Sequence, residues 1–381
     1  MQKKLIVLAL AGLSAASAFA QSNVTVYGRV DYGYMSRGGN DGATVDFGRK
    51  GEMASGMQSG SRLGFKGSED LGNGLKAIFE IESGVTNDSP GTAAGTSGLF
   101  TTNRHAYVGL TGNFGTAVGG RLDGVRYGVY NKYDAFAGGG MGNFTQMTTQ
   151  VDRADNAIAY ISPKFWGGFG VVAAYGTSIL GQEYAGNAAV AAVANALGTV
   201  TGTTGVAAAA RQRANEGDSQ LYTLMGTYDN GPLSVSVDYE HIDERHINGG
   251  NNGLYVFTTG ASWDFGFMKV SGVYDVLKAG RLSAIGTTDK RNWFLSAKVP
   301  YGKFDFKATY GRVDDNENSN ADANKLGLGV NYNLSKRTNI YADYGTISND
   351  RNAAYALSPA ANSGGTGYGV SGINVGLAHN F

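Results

Sequence analysis

Apolar and polar residues alternate with a period of two along most of this chain, which restricts it to strands carrying one face of each kind. Leu75, Ala77, Phe79 and Ile81 share one face of the run 75–82, and Lys76, Glu80 and Glu82 share the other. Leu233-Ser234-Val235-Ser236-Val237-Asp238-Tyr239-Glu240 and Phe304-Asp305-Phe306-Lys307-Ala308-Thr309-Tyr310 repeat the pattern, and Leu326, Leu328, Val330 and Tyr332 alternate with Lys325, two glycines and Asn331. Sixteen such runs are expected, near 24–36, 58–66, 74–84, 103–111, 114–121, 153–162, 168–178, 219–229, 232–243, 254–264, 266–278, 290–299, 302–313, 323–333, 337–348 and 372–381. Short connections such as Thr111-Gly112-Asn113 alternate with long ones rich in Gly, Asn, Ala and Thr, notably 37–57, 85–102, 122–152 and 179–218. All five Pro fall in the connections, as a hydrogen-bonded ladder requires.

Two all-β architectures read this way. A soluble sandwich or propeller hides one apolar face in a core, whereas a membrane barrel turns it to lipid. Three features favour the barrel. The strands are long enough to cross a bilayer at a tilt. Their polar faces carry charges even at mid-strand. Aromatics gather toward strand ends, at Tyr32, Tyr34, Phe114, Tyr160, Tyr175, Tyr228, Trp263, Phe265, Tyr310, Tyr332 and Phe381, as interfacial girdles do. The expected fold is therefore all-β, a 16-stranded antiparallel transmembrane β-barrel. No internal run reaches the eighteen or so apolar residues of a membrane-crossing helix. The long connection at 179–218 reads as a surface loop, although its Ala-rich centre has some helix propensity.

Composition narrows the function. The chain has 31 Lys and Arg against 31 Asp and Glu, so it lacks the basic surplus of a nucleic-acid binder. It has no Cys, which excludes thiolate metal sites and cysteine nucleophiles. Its four His (His105, His241, His246 and His379) provide little material for general-base or metal chemistry. No cofactor is implied. At the N-terminus, Lys3 and Lys4, an apolar stretch from Leu5 and Ala18-Phe19-Ala20 form the pattern of a cleaved secretory leader, residues 1–20. Its removal leaves 29 basic against 31 acidic residues in 21–381.

Parity assigns the faces. Val24, Val26, Val30 and Tyr32 are expected to point outward, and Thr25, Tyr27, Arg29 and Asp31 inward. Leu63 and Phe65 point out; Arg62 and Lys66 point in, as do Lys76, Glu80 and Glu82. Arg153 and Asp155 share the face opposite Ile158 and Tyr160. A charge facing mid-membrane lipid costs ~2–4 kcal/mol, so Arg residues belong on the lumen side. The 122–152 segment, with Asp123, Arg126, Lys132, Asp134 and Gly138-Gly139-Gly140, is too weakly periodic for a strand pair. Spacing alone leaves it as an outward loop or as one folded into the lumen.

The motifs resemble the trimeric general porins of Gram-negative outer membranes, in particular the sixteen-stranded branch with anion preference. The resemblance rests on Val24-Thr25-Val26-Tyr27-Gly28, the long run from Ser61-Arg62-Leu63-Gly64-Phe65-Lys66-Gly67 to Ala77, and Asn103-Arg104-His105-Ala106-Tyr107. It continues with Gly119-Gly120-Arg121, Arg153-Ala154-Asp155-Asn156, Tyr160-Ile161-Ser162-Pro163 and the ending Gly376-Leu377-Ala378-His379-Asn380-Phe381. The resemblance implies that the third external loop, 122–152, folds into the lumen and makes a constriction. It implies basic residues on the wall (Arg62, Arg104 and Arg153, with Arg121 where the wall enters the loop) facing acids, for which Asp123, Asp134 and Glu80 are the candidates. It also implies a homotrimer in outer-membrane lipid, and recognition of Phe381 by the outer-membrane assembly machinery. Arg29 departs from the family pattern of a small or apolar residue. It either adds positive charge to the wall or pairs with Asp31, Glu80 or Glu82.

A porin makes no covalent bond; pore width and lining charge set what passes. The expected function is diffusion of small hydrophilic solutes and ions, with anions preferred at an arginine-rich constriction. A substrate-specific channel for a small anionic solute is the alternative. An outer-membrane hydrolase is disfavoured because no His sits in a recognisable nucleophile pattern.

Overall fold

The computed structural model describes residues 23–44, 48–87, 100–148, 151–177, 179, 220–243, 253–282, 286–357 and 369–381. The expected leader (1–20), His246 and most of the loop at 179–218 lie outside the described residues. Seventeen strands occur in chain order among the described residues: β1 Asn23–Gly38, β2 Lys50–Ser55, β3 Arg62–Gly72, β4 Leu75–Val85, β5 Phe100–Gly112, β6 Gly115–Asp123, β7 Arg153–Ile161, β8 Phe169–Gly176 and β9 Gln220–Asn230. They continue with β10 Leu233–Asp243, β11 Gly253–Asp264, β12 Lys269–Leu282, β13 Gly286–Tyr301, β14 Phe304–Asp315, β15 Ala323–Asn333, β16 Thr338–Asn349 and β17 Ser371–Asn380. A nine-residue helix, α1 Val125–Tyr133, follows β6. No described helix is long and apolar enough to cross a membrane.

From β3 onward each strand pairs antiparallel with its sequence neighbour, and the first strand meets the last, from Arg29↔Asn380 to Gly38↔Ser371. The sheet is a closed barrel. β1 pairs with β3 along its first half and with β2 along its second, so β2 and β3 share one place in the wall. Seventeen strands thus make sixteen wall positions. Nothing in the alternation marks β2, and the second expected strand started four residues early, at 58 instead of 62. The segment 56–61 between β2 and β3 folds around a carboxylate, which local alternation cannot reveal. Asp31 accepts bonds from the backbone N–H of Gln58 and Ser59, each at 2.9 Å, and from the Tyr341 hydroxyl at 2.5 Å.

The alternation sorts as expected across most of the wall. Val24, Val26, Val30, Tyr32, Phe65, Ile81, Val108 and Leu110 are exposed on the outside. Of the expected girdle aromatics, Tyr32, Tyr34, Phe114, Tyr160, Trp263, Phe265, Tyr310 and Phe381 are exposed, whereas Tyr175, Tyr228 and Tyr332 are partly covered by ring neighbours. The buried polar residues, among them Asp238, Thr258, Asp275, Asn292, Thr309 and Asn374, lie on the opposite face.

One stretch departs from simple parity. Between β6 and β7 the register slips: Gly120 faces Ala157, but Leu122 faces Ala154. The extra residue on β7 is absorbed where Asn156 takes φ 51°, a bulge that flips the faces of the strand on either side of it. Ala154 and Ala157 are consequently both buried on the inner side.

The seam where β1 meets the C-terminus is completed by Phe381, which exchanges two backbone hydrogen bonds with Gly28, each 3.1 Å. The Phe381 ring occupies the space a Gly28 side chain would need, and the Arg62 carbonyl oxygen lies 2.6 Å from the same point. Gly28→Val is therefore expected to destabilise the seam by ~1–3 kcal/mol, as overpacking does. A lower temperature for the gel-mobility shift between folded and unfolded barrel would show it; an unchanged transition would refute the packing role given to Gly28.

Candidate functional site

Three arginines converge on two acids along the inner wall of β1, β3, β4 and β5. Arg29 and Arg62 are direct cross-strand partners, a like-charge pairing that is unfavourable on its own. It is tolerated because each guanidinium reaches a carboxylate. Arg29 lies 3.6 Å from Asp31 and donates to Gln58 Oε1 at 2.6 Å. Arg62 lies 3.7 Å from Glu82, and Arg104 forms a short charge-assisted bond to the same Glu82 oxygen. Burial differs within these pairs. Asp31 and Glu82 are 0% and 3% exposed, whereas Arg29 and Arg62 are 14% and 21% exposed. The acids sit behind Arg29 and Arg62, and water in the lumen meets these two arginines first; Arg104 is buried with Glu82.

Arg153 extends this surface toward the end of β6. Its Nε lies 3.2 Å from Asp123, and its guanidinium lies over the Tyr127 ring of α1. Asp123 also contacts His105 Nδ1 at 3.5 Å, while His105 Nε2 lies 3.2 Å from Glu80. Glu80 accepts from the hydroxyls of Tyr107, at 2.7 Å, and Tyr27. Glu80 and Asp123 are therefore on the same wall as the arginines and not across from them. No sequence signal gave His105 a role; its position between two carboxylates depends on β4, β5 and β6 meeting in this register.

Two expected site residues are placed elsewhere. Arg121 is in register with Ala106, on the face of exposed Val108 and Leu110, and forms an ion pair with Asp155 of β7. The bulge at Asn156 moves Asp155 to that outer face as well. Both residues lie within three positions of the strand ends, where a lipid-side charge costs only ~0–1 kcal/mol. Asp134 does not face the arginines either. It is 4% exposed and accepts from the backbone N–H of Phe144 at 2.8 Å and of Phe136 at 3.0 Å, and from the Thr309 hydroxyl at 3.1 Å. Burial pushes its carboxyl above the ordinary value, against the pull of those three donors. Its work is to fold the segment and fix it to β14.

The 124–148 segment packs on the polar inner face of β10 to β17. Arg126 (1% exposed) pairs with buried Asp275 of β12, donates to Thr148 Oγ1 at 2.7 Å, and presents its backbone N–H to Glu240 of β10. Burial opposes the Arg126 charge, but Asp275, Tyr130 and Glu240 outweigh it and hold the guanidinium above its ordinary pKa. Tyr130 donates to Asp275, and Tyr133 shares a bond with Ser236 at 2.9 Å. Farther along, Ala135 donates to Ser296 at 2.8 Å and Met141 to Asn374 at 3.1 Å, and Gly140 donates to the Met57 carbonyl at 2.6 Å. At Gly327 and Gly345 a Cβ would collide with the backbone at Gly142 and Met141, so these wall positions must stay bare. Arg126 and Asp275 are 149 residues apart, and no local pattern marks them as partners.

A closed antiparallel barrel with apolar residues outside and ionised side chains inside is the architecture of an outer-membrane channel. The Gram-negative porin profile matches residues 5–352. The chain is 32% identical to outer membrane porin protein 32 of Delftia acidovorans over the full length of both. It is 29% identical to an outer membrane porin protein of Bordetella pertussis, covering 97% of this chain and 99% of that one. Among solved structures, the anion-selective porin from Comamonas acidovorans superposes with a TM-score of 0.73 at 28% identity, covering 95% of this chain and all of that one. The chain belongs to the Gram-negative porin family, and it is an outer-membrane porin.

Arg126→Met should leave Asp275 buried without its cation, at a cost of ~3–5 kcal/mol to the anchoring of the segment. The expected readout is faster proteolysis within 124–148 and noisier single-channel current. Adding Asp275→Leu should recover much of the loss, because both members of the pair are then gone. Equal proteolysis of wild type and Arg126→Met would refute the anchor.

Proposed function

We propose that this porin prefers anions and that the arginine surface of Arg29, Arg62, Arg104 and Arg153 sets the preference. The observation that carries this reading is the layering of charge: the Arg29 and Arg62 guanidinium groups stand over the buried carboxylates of Asp31 and Glu82, with Arg104 buried beside Glu82, so the lumen meets the positive side of these two pairs. Guanidinium remains charged at any working pH and presents fixed donors, which suits a filter for small anions. Screening with a Debye length of ~10 Å in 0.1 M salt confines the effect to this local group, so the balanced overall charge does not cancel it. The 124–148 segment, held on the far wall, narrows the path in front of the arginines. Its Tyr127 side chain, beside Arg153, brings α1 to the edge of the basic surface.

Export by a leader at 1–20, cleaved before Gln21, and assembly as a homotrimer belong to the same proposal. The exposed apolar faces of β1 and β3, with Val24, Val26 and Phe65, are suited to a subunit contact or to lipid. Phe381 serves as the terminal signal for the assembly machinery. The protein works as a passive channel, not a catalyst. A general diffusion pore fits the charged lumen; the substrate-specific alternative is favoured by one observation only, a cavity beside α1.

The test is the reversal potential of refolded protein in a planar bilayer across a KCl gradient. A potential of the sign set by chloride is expected. Arg62→Gln with Arg153→Gln should lower the chloride-to-potassium permeability ratio about fivefold, the equivalent of ~1 kcal/mol for a unit charge met at 4 Å in water. A potassium-type potential in the wild type, or an unchanged ratio in the double variant, would overturn the assignment.

A further inference from the structure

The inner wall is not uniformly polar. Its β10 to β17 sector carries the polar groups that hold the 124–148 segment, but its β6 to β9 sector is largely apolar, although Thr116, Thr223 and Thr227 place hydroxyls on it. Val118, Ala157, Ala159, Val172, Ala174 and Met225 all face inward there. Outward neighbours on the same strands, such as Ile158, Tyr160 and Leu224, are exposed to the membrane side, so these strands are largely apolar on both faces. A water-filled pore gains nothing from such a wall.

Between this sector and the flank of α1 lies a cavity of 430 Å³. That is within the ~300–1,000 Å³ range of small-molecule sites. Val125 and Val129 line it from the helix side. Gly128 lines it too, with nothing within 4 Å of the place a Cβ would occupy. A glycine inside a helix is less favourable than alanine, so helix propensity alone does not explain an open space opposite it. The cavity meets water at both ends of α1, where its two charged lining residues are exposed: Asp123 at 42% and Lys132 at 35%. Asp123 is already occupied by Arg153 and His105. At the other end, Lys132 and Lys164 share a single carboxylate, Asp229, at 2.8 Å and 2.6 Å. Among the described residues, that cluster carries a net positive charge.

We propose that this cavity is a binding site for amphipathic monocarboxylates, with an aromatic or branched aliphatic body against the β6–β9 wall and the carboxylate at Lys132. The proposal rests on the anion-preferring reading and adds the class of solute that the channel retains. An apolar body alone would leave the Lys132 end unused, and a small hydrophilic anion would leave the apolar wall unused. An amphipathic anion matches both.

The experiment compares block of chloride current by benzoate, acetate and benzyl alcohol in planar bilayers. In the wild type, half-block by benzoate is expected at a concentration at least about tenfold lower than by acetate, since one apolar group in a fitted pocket is worth ~10–200-fold. Benzoate should also act below benzyl alcohol. Gly128→Leu, which fills the cavity and favours the helix, should bring benzoate up to the acetate value; Val172→Phe should do so from the wall side. Lys132→Ala should erase the difference between benzoate and benzyl alcohol. Equal block by benzoate and acetate in the wild type, or unchanged benzoate block in both filling variants, would overturn the site. Benzyl alcohol as potent as benzoate would overturn its anionic character. The reversal potential separates the two readings. A potassium-type potential with benzoate still the stronger blocker refutes the arginine filter and leaves the cavity; a chloride-type potential with no such difference refutes the cavity alone.

Discussion

Closure of the sheet is the constraint on which everything else depends. In lipid an unpaired backbone N–H or carbonyl has no solvent to turn to, so a spanning sheet has to return to its own first strand. Here that return is the β1–β17 pairing, finished by the reciprocal bonds between Gly28 and Phe381. Once the ring is closed, every side chain is committed to one of two environments. The pleat sends alternate residues to lipid and to the lumen, and the sequence pattern must obey the same period.

Within the closed ring the inner wall divides the labour. One sector, β10 to β17, supplies Asp275, Ser296, Thr309 and Asn374 as fixed partners for a segment that reaches them from β6. The segment touches the facing sector, β1 to β5, at Met57 in the break between β2 and β3, and this sector displays the arginines. Arg29 and Arg62 lie opposite one another in register, an arrangement the sheet supports because Asp31 and Glu82 neutralise them from behind. Those acids are themselves secured. Asp31 is held by the break between β2 and β3 and by Tyr341, and Glu82 by Arg104. In the proposed role as an anion filter, such a surface would stabilise a passing charge without reorganising around it.

The third sector, β6 to β9, shows how one bulge redirects a wall. The slip at Asn156 turns Ala154 and Ala157 inward together and carries Asp155 to the outer face beside Arg121. The inward Ala154 and the outer ion pair are thus two results of a single extra residue. The helix that passes this surface leaves space at Gly128 where packing would otherwise be easy. On the proposal made for this cavity, general porosity and a local affinity for apolar groups coexist in one lumen.

The sequence by itself determined the barrel, the outward set of residues on most strands, and the inward placement of Arg29, Arg62 and their acids. These follow from period-two alternation, which is local and needs only neighbouring residues to be read. It also marked 122–152 as a segment unlike the other loops. Tertiary structure alone decided the rest. β2 was hidden because the break at 56–61 is organised by Asp31 and Tyr341, far away in the chain. Arg121 faces outward by the plain alternation of β6, and Asp155 joins it because parity fails across the β7 bulge, which carries no compositional mark beyond an Asn able to adopt positive φ. Asp134 became a buried brace because its donors come from its own turn and from β14. His105, Arg126 and Asp275 gained their roles from contacts between strands. Alternation fixes which face a residue takes; only the closed register and the path of the segment inside it fix what that residue meets.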